Sequence, residues 1–258
     1  MELDDAYANG AHIAGGDAFP AQWAADAAAF RASATCALDQ PYGAGARAVC
    51  DLFMPDTPPK GVVVFVHGGY WMALDKSFWS HLAAGPLAHG WAVVIPSYDL
   101  CPDVRISGIT RQIADLMDHV AARFAGLPLR LTGHSAGGHL VARMGCGDVA
   151  LAARGRIARI VPISPLADLE PLLRTSMNTT LLLDAEEARQ ESPVLYPAPV
   201  APVTVWVGAD ERPAFIAQAR ALAKAWRNDL VIAPARHHFN VIDGLAVPDS
   251  DLVAALLR

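Results

Sequence analysis

Six short apolar runs, spread along most of the chain, constrain the fold more than any other feature of the sequence. Each run is rich in β-branched residues and does not alternate with polar residues, which is typical of strands buried on both faces of a sheet. We therefore predict six buried strands, at residues 61–67, 91–97, 129–133, 157–164, 203–208 and 229–235.

Longer segments between these runs have the spacing of amphipathic helices. In residues 106–126, apolar side chains recur every three or four positions, and the segment ends on Gly126, a residue typical of helix C-termini. Residues 213–226 show the same spacing and begin with Pro213. Alternating buried strands and helices predict an α/β fold, with a mostly parallel central sheet and helices on both faces. The chemistry of such a fold lies at the carboxyl ends of the strands.

The chain is long and apolar enough to bury a large core. It has 258 residues, of which 53% are hydrophobic and 18% charged, and we expect one domain over residues 1–258. Residues 165–192 are leucine-rich, and Asp184 and Glu187 have the spacing of a helix-capping pair, so we predict a small helical cap there. The N-terminal segment up to Ala34 also has a helical pattern and is expected to lean over the same pocket.

Charge and hydropathy argue against several classes of function. The formal net charge is −6 and no cluster of lysine and arginine occurs, which argues against a nucleic-acid surface. No apolar run reaches the roughly 20 residues of a membrane-spanning helix, and the N-terminus lacks the features of a secretion signal. We expect a cytoplasmic protein that binds a small-molecule substrate and neither nucleic acid nor membrane, and a homodimer is compatible with the sequence.

The cysteines and histidines show no metal-binding pattern. The four cysteines include no CxxC pair, and the nine histidines include no HExxH motif. We therefore expect no metal site and no cofactor, with packing as the role of each cysteine.

The stretch LRLTGHSAGGHL, residues 129–140, places Ser135 between a predicted strand and a predicted helix. Gly133 and Gly137 leave room for strand and helix to close around a sharp turn, which pushes the serine outward. The helix N-terminus at Ala136 favours a developing negative charge. Ser135 is therefore the candidate nucleophile, and the alternative is a glycine-rich turn with a capping serine.

A nucleophilic serine needs a base and a group that orients the base. The stretch ARHHFNVID, residues 235–243, follows the last predicted strand and offers His238, with His237 as the alternative. Asp210 follows the strand at 203–208 and is the candidate acid, since a short carboxylate at a strand end is able to hold an imidazole in one tautomer. Glu211 is interpreted as an N-terminal charge on the next helix.

Amide donors for an oxyanion are expected where side chains do not intrude. Gly68 and Gly69 follow the first predicted strand, and we predict that they form an oxyanion hole with the amide of Ala136. Tyr70 is an alternative second donor. We interpret His67 as a structural residue that holds this loop by a side-chain hydrogen bond.

Three aromatic residues stand at predicted strand ends and are candidates for a substrate pocket. They are Tyr70, Trp71 and Tyr98. Ordinary packing in the core or the loop is the alternative role of each.

Several motifs together resemble the kynurenine formamidase (arylformamidase) branch of the α/β-hydrolase superfamily. They are HGGYW at 67–71, GHSAGGHL at 133–140, DDAYANGAHI at 4–13, SYDLCPDVRISGITRQIAD at 97–115, GADERPAF at 208–215 and HHFNVID at 237–243. The resemblance implies an α/β-hydrolase fold, a nucleophile at Ser135, an acid at Asp210, a base at His238 and no cofactor. The chain order serine, acid, histidine agrees with it.

The resemblance also implies a reaction. It predicts hydrolysis of an N-formyl arylamine, and a carboxylesterase or thioesterase for small acyl groups is the alternative with the same triad. A non-catalytic binding module of the same fold is a third hypothesis. The chain departs from the HGGG motif of hormone-sensitive-type lipases by placing Tyr70 and Trp71 after two glycines.

Overall fold

A central sheet of eight strands runs through the protein in the computed structural model, which describes all residues from 1 to 258. The strand order is β1-β2-β4-β3-β5-β6-β7-β8, and every neighbouring pair is parallel except the two pairs that contain β2. The strands are β1 (Cys36–Pro41), β2 (Val49–Phe53), β3 (Val62–Val66), β4 (Ala92–Pro96), β5 (Leu129–His134), β6 (Ile157–Ile163), β7 (Thr204–Gly208) and β8 (Asp229–Ala233).

Nine α-helices and several single 3₁₀ turns connect the strands. The helices predicted from apolar spacing are α4 and α8, and both form. Helix α4 ends at Arg123, shortly before Gly126, which has a φ of +80°. The helices are α1 (Asp4–Tyr7), α2 (Phe19–Arg31), α3 (Ala84–Ala88), α4 (Ile106–Arg123), α5 (Ala136–Gly145), α6 (Asn178–Leu181), α7 (Ala185–Gln190), α8 (Pro213–Trp226) and α9 (Asp251–Leu257).

Apolar layers cover both faces of the sheet, as an α/β fold requires. On one face, α4, α5 and α8 pack the larger core, which contains Ile109, Leu140 and Phe215. On the other face, α2 and α9 pack a smaller core with Trp23 and Leu252. The prediction of a mostly parallel sheet with helices on both faces is confirmed.

The six predicted strands correspond to β3 to β8, whereas β1 and β2 were not predicted. β1 is an edge strand with a mixed burial pattern, so it lacks a continuous apolar run. β2 contains the buried carboxylate of Asp51, which accepts a hydrogen bond from the Asp39 amide at 2.9 Å and lies 2.7 Å from Lys76 Nζ. These polar partners are distant in sequence, so a charged residue in a buried strand was not foreseen.

Short helices occupy residues 165–192, where the sequence predicts a cap. They include a 3₁₀ turn at Glu170–Arg174 and the helices α6 and α7. Charged and polar hydrogen bonds attach the segment to α4: Arg105 Nε donates to Glu187 Oε2 at 2.6 Å, and Thr110 Oγ1 donates to Glu191 Oε2 at 2.6 Å. No helix has both the length and the hydropathy that a membrane crossing needs.

Candidate active site

Ser135 lies in a sharp turn between β5 and α5. Its φ of 55° and ψ of −117° are unusual for a residue with a side chain, and its amide is held by the Ile163 carbonyl at 2.9 Å. A Cβ atom at Gly133 would collide with the Gly137 carbonyl, and one at Gly137 would collide with the Val66 carbonyl. The two glycines therefore permit the close packing that holds Ser135 in this conformation, as predicted.

Glu211, which follows β7, forms the hydrogen bond to the candidate base. Its Oε2 atom lies 2.7 Å from His238 Nδ1, and its Oε1 atom accepts hydrogen bonds from the Gly208 amide at 2.8 Å and from Ser164 Oγ at 2.5 Å. The carboxylate is completely buried. The Gly208 amide and the Ser164 hydroxyl fix it in one orientation, so it is able to fix the imidazole of His238 in turn.

The prediction that Asp210 orients the base is corrected by this geometry. Asp210 is exposed, and its amide donates to the Arg236 carbonyl at 2.9 Å. That hydrogen bond fixes the turn with the Asp210 side chain on the solvent side. Glu211 is predicted to be an N-terminal charge on the next helix, but its longer side chain returns to the end of β7. There its carboxylate lies beside the imidazole of His238.

His238 is the histidine that the structure places beside this carboxylate. It is buried, lines the same cavity as Ser135, and its ring lies 4.4 Å from that of Phe215. Because Nδ1 faces a carboxylate, it carries the proton of the neutral ring and leaves Nε2 free to accept one. No hydrogen bond joins Ser135 to His238 here, and in ligand-free enzymes such catalytic hydrogen bonds are often long.

His237 has a different environment, which separates the two adjacent histidines. Its Nδ1 atom accepts a hydrogen bond from the Phe239 amide at 3.2 Å, and its ring meets Phe19 edge-on at 5.5 Å. Partial burial lowers the pKa of this half-buried histidine below its usual value. His237 therefore holds the loop, and the choice of His238 agrees with the placement of the two rings.

Two further histidines near Ser135 stay neutral. Burial is the main cause that lowers the pKa of His134 well below its usual value, and the nearby His238 lowers it further. Burial also lowers the pKa of His67 to about 4. His67 Nδ1 donates to the Gly68 carbonyl at 2.7 Å, so His67 has the structural role expected of it.

The loop after β3 brings unpaired amides close to the serine. The amides of Gly68, Gly69 and Tyr70 donate to no protein acceptor. A Cβ atom at Gly68 would lie 3.0 Å from the Cβ atom of Ser135, so only glycine permits this approach. Ala136 is the first residue of α5, where amides have no partner inside the helix. The amides of these four residues have no protein acceptor and are thus candidate oxyanion donors.

A cavity of about 580 Å³ opens at Ser135 and His238. Aromatic and apolar side chains form most of its wall, and no lysine or arginine lines it. The larger lining side chains are Tyr7, Trp23, Tyr70, Met72, Leu74, Trp79, Met177 and Phe239.

Of the three aromatic residues predicted to bind substrate, only Tyr70 lines this cavity. Trp71 is fully buried beneath the loop, with its ring 5.0 Å from that of His139. Tyr98 is also fully buried, stacks on His67 at 4.3 Å and donates to the His67 carbonyl at 2.9 Å. Both side chains pack in the core and not in the cavity wall, which corrects their predicted place in the pocket.

The sequence did not indicate many of the individual residues that line this cavity. They include residues 7–11, Trp23 on α2 and Phe239 after the histidine pair. The helical pattern before Ala34 indicated that this segment leans over the pocket, but nothing in its sequence indicated which side chains face Ser135. No group of three or more His, Cys, Asp or Glu side chains is placed to hold a metal ion.

Comparison with known proteins identifies the family. The family model described as the alpha/beta hydrolase fold matches residues 63–231. The chain belongs to the α/β-hydrolase family. It is 32% identical to the kynurenine formamidase of Salmo salar, over 88% of this chain and 83% of that one. It is 31% identical to the kynurenine formamidase of Drosophila melanogaster, over 84% and 79%.

Solved structures share the fold of this chain. A protein of Silicibacter sp., provisionally described as a thioesterase, is 56% identical over the whole of both chains, with a TM-score of 0.97. Esterase B of Lactobacillus rhamnosis, at 20% identity over 86% of this chain and 85% of that one, has a TM-score of 0.67 and shows the shared fold alone. The family model and the sequence relatives together show that the chain is a kynurenine formamidase-like hydrolase of the α/β-hydrolase family.

Proposed function

We propose that this hydrolase is an arylformamidase that uses Ser135 as nucleophile, His238 as general base and Glu211 as the acid that orients His238. The observation that carries the proposal is the 2.7 Å hydrogen bond between Glu211 and His238 at the wall of the cavity that contains Ser135. Serine, histidine and a glutamate or aspartate form the triad of α/β-hydrolases.

The chemistry is acyl transfer in two halves. His238 Nε2 takes the Ser135 proton as Oγ attacks the formyl carbon, and amides of the loop at Gly68 and Gly69, with that of Ala136, stabilise the oxyanion. The protonated His238 then gives its proton to the leaving arylamine as the C–N bond breaks. Water, activated by His238, attacks the formyl-enzyme, and formate leaves as Ser135 regains its proton.

The shape of the cavity agrees with an aromatic leaving group. Tyr70, Trp23 and Phe239 line the cavity that contains Ser135, and aromatic rings contribute large apolar contact areas. The formyl group requires little room, since hydrogen is its only substituent beside the carbonyl. Relatives that are 27–32% identical are described as kynurenine formamidases, which supports the same substrate class.

A second candidate function is hydrolysis of small acyl esters or thioesters. The relative that is 56% identical is provisionally described as a thioesterase, and the same serine, histidine and glutamate would serve either reaction. A difference of one methylene in an apolar acyl pocket changes selectivity by only about 1–3 kcal/mol, so the geometry of the site favours neither candidate strongly.

A comparison of three substrates separates the candidates. We would measure kcat/KM for N-formylkynurenine, p-nitrophenyl acetate and acetyl-coenzyme A, with the wild type and with Ser135→Ala. The proposal predicts that the formamide is the best substrate and that Ser135→Ala loses activity on all three. Turnover of only the ester or the thioester by the wild type would reject the formamidase assignment and keep the nucleophile.

A further inference from the structure

The side-chain amide of Asn9, in the wall of the active-site cavity, has no hydrogen-bond partner. Asn9 is 5% exposed, and neither its Nδ2 nor its Oδ1 atom is bonded to any protein group. Asn9 lines the cavity together with Ser135 and His238. Buried amides are nearly always hydrogen-bonded, because an unpaired one has lost its water without replacement. An unpaired amide in the wall of the cavity that contains Ser135 is therefore a candidate ligand-binding group.

Hydrogen bonds fix the backbone around Asn9, whereas no hydrogen bond holds its side-chain amide. The Tyr7 carbonyl accepts a hydrogen bond from Tyr70 Oη at 2.7 Å, and the Asn9 carbonyl accepts one from the His12 amide at 3.1 Å. The Ser176 amide donates to Asp4 Oδ1 at 2.6 Å on the other side of the segment. Rotation about the side-chain torsions of Asn9 would therefore turn its amide toward the cavity while this backbone stays in place.

The charges around the cavity indicate which kind of group Asn9 would meet. No lysine or arginine lines the cavity, and His134 stays neutral because burial lowers its pKa. Asp4, the lining residue with a formal charge outside the triad, already pairs with the N-terminal amine and the Ser176 amide. A carboxylate or phosphate attached directly to the aromatic ring at this wall would lack a counter-charge, whereas an uncharged polar group there would need only the amide.

Asn9 differs from the other unpaired polar groups of the wall. His134 Nε2 and Trp79 Nε1 also lack partners, but each is a single nitrogen on a ring held in the core. Asn9 offers both a donor and an acceptor on a side chain that is able to rotate. It is thus suited to a substituent such as a ketone or a carboxamide.

We propose that Asn9 is a specificity-determining residue, which hydrogen-bonds an uncharged carbonyl or carboxamide substituent on an aromatic leaving group. The inference rests on the proposed function in one respect, namely that the leaving group occupies this cavity during acyl transfer to Ser135. It adds the residue that recognises such a substituent.

The test measures kcat/KM for formanilide and for its acetyl derivatives, using the best of the 2-, 3- and 4-acetyl isomers. The kcat/KM for acetylformanilide divided by that for formanilide should be about tenfold lower in Asn9→Leu than in the wild type. This substitution keeps the volume of the side chain and removes both of its polar atoms. Asn228→Leu is the matched control, because Asn228 stands before β8, at the end of the sheet opposite the site, and the ratio should not change. An unchanged ratio in Asn9→Leu would overturn the inference.

A carboxylate of similar shape tests the charge argument. In the wild type, kcat/KM for the carboxyformanilide with its substituent at the same ring position should be at least about tenfold lower than that for the best acetyl isomer, since no lysine or arginine lines the cavity. Equal or better turnover of the carboxylate would contradict an uncharged substituent.

Thermal unfolding separates recognition from a structural role. If the Asn9 amide has no partner in the free protein, Asn9→Leu should melt at or above the wild-type temperature. A melting temperature lowered by more than about 4 °C would reveal a structural partner and reject the inference.

The failure of the proposed function is distinguishable from the failure of this inference. If no formanilide is cleaved, the proposed function fails. The kcat/KM for acetylphenyl acetate divided by that for phenyl acetate then still tests Asn9.

Discussion

At the scale of single residues, the central finding is that Glu211 rather than Asp210 meets His238. The two acids are adjacent in GADERP, and the sequence does not indicate which of them faces β8. The Arg236 carbonyl decides this by binding the Asp210 amide, and that contact joins residues 26 positions apart. Ser135 and His238, which the sequence predicts to act together, line one cavity. Local features point to both residues, namely the glycine spacing and the apolar residues after the histidines.

Ser164 provides a residue-scale prediction, since its hydroxyl donates to Glu211 Oε1 at 2.5 Å. Ser164→Ala should lower kcat/KM about tenfold, mainly through kcat, because Glu211 then orients His238 less firmly. Steady-state kinetics with p-nitrophenyl acetate and the preferred formamide measures this. Ser192→Ala is the control: it removes another buried hydroxyl, which donates to the Ala188 carbonyl, and should leave kcat/KM within about twofold. Equal losses in both variants would contradict a positioning role for Ser164.

At the scale of elements, burial decides what the sequence is able to predict. Strands β3 to β7 lie in the interior of the sheet, and most of their residues are buried. Helices α4 and α8 each have one apolar face. The sequence pattern alone was therefore enough to locate these strands and helices. The edge strand β1 and the charged residue in β2 depend on partners elsewhere in the chain. The aromatic residues of the glycine loop were misplaced for a similar reason. Positive φ angles at Tyr70 and Trp71 turn successive side chains in directions that strand patterns do not describe.

Gly137 tests the close contact between α5 and β3. Gly137→Ala should lower the free energy of unfolding by at least about 2 kcal/mol, since its new methyl group would collide with backbone carbonyls of Val66 and His67. Urea unfolding followed by tryptophan fluorescence gives the value. Gly147→Ala, where no atom beyond the adjacent residues of the chain lies within 4 Å of the added methyl group, should remain close to the wild type. Similar stability of the two variants would show that α5 does not pack as described.

At the scale of the whole molecule, parallel strands bring distant residues to one edge of the sheet. Gly68 follows β3, Ser135 follows β5, Glu211 follows β7 and His238 follows β8, so the site forms only when the sheet is complete. Folding also buries neutral histidines. Burial lowers the pKa of His67 to about 4 and that of His139 to about 3.

These buried histidines predict that the protein loses stability in acid. The folded-state pKa values lie below the value of about 6.5 for an exposed histidine, so the unfolded chain binds more protons as the pH falls. Stability should be insensitive to these groups above pH 6.5 and should fall between about pH 6.5 and 4, by up to about 1.4 kcal/mol per pH unit for each histidine.

His139 allows this origin of acid sensitivity to be checked. Its Nε2 atom donates to the Glu191 carbonyl at 2.6 Å, a hydrogen bond that the amide of a glutamine is able to replace. Urea unfolding at pH 7 and pH 5 should show a smaller pH-dependent loss in His139→Gln than in the wild type. A loss of the same size in both proteins would assign the acid sensitivity to other groups.

The most direct test of the account compares Glu211→Gln with Asp210→Asn, in measurements of kcat/KM with the preferred substrate. Both variants remove one carboxylate from adjacent positions and keep its shape. Glu211→Gln should lower kcat/KM about 10³- to 10⁴-fold, because His238 loses the carboxylate that holds its tautomer and stabilises its charge. Asp210→Asn, with its side chain in solvent, should stay within about twofold of the wild type. A large loss in Asp210→Asn with full activity in Glu211→Gln would contradict the triad of Ser135, His238 and Glu211.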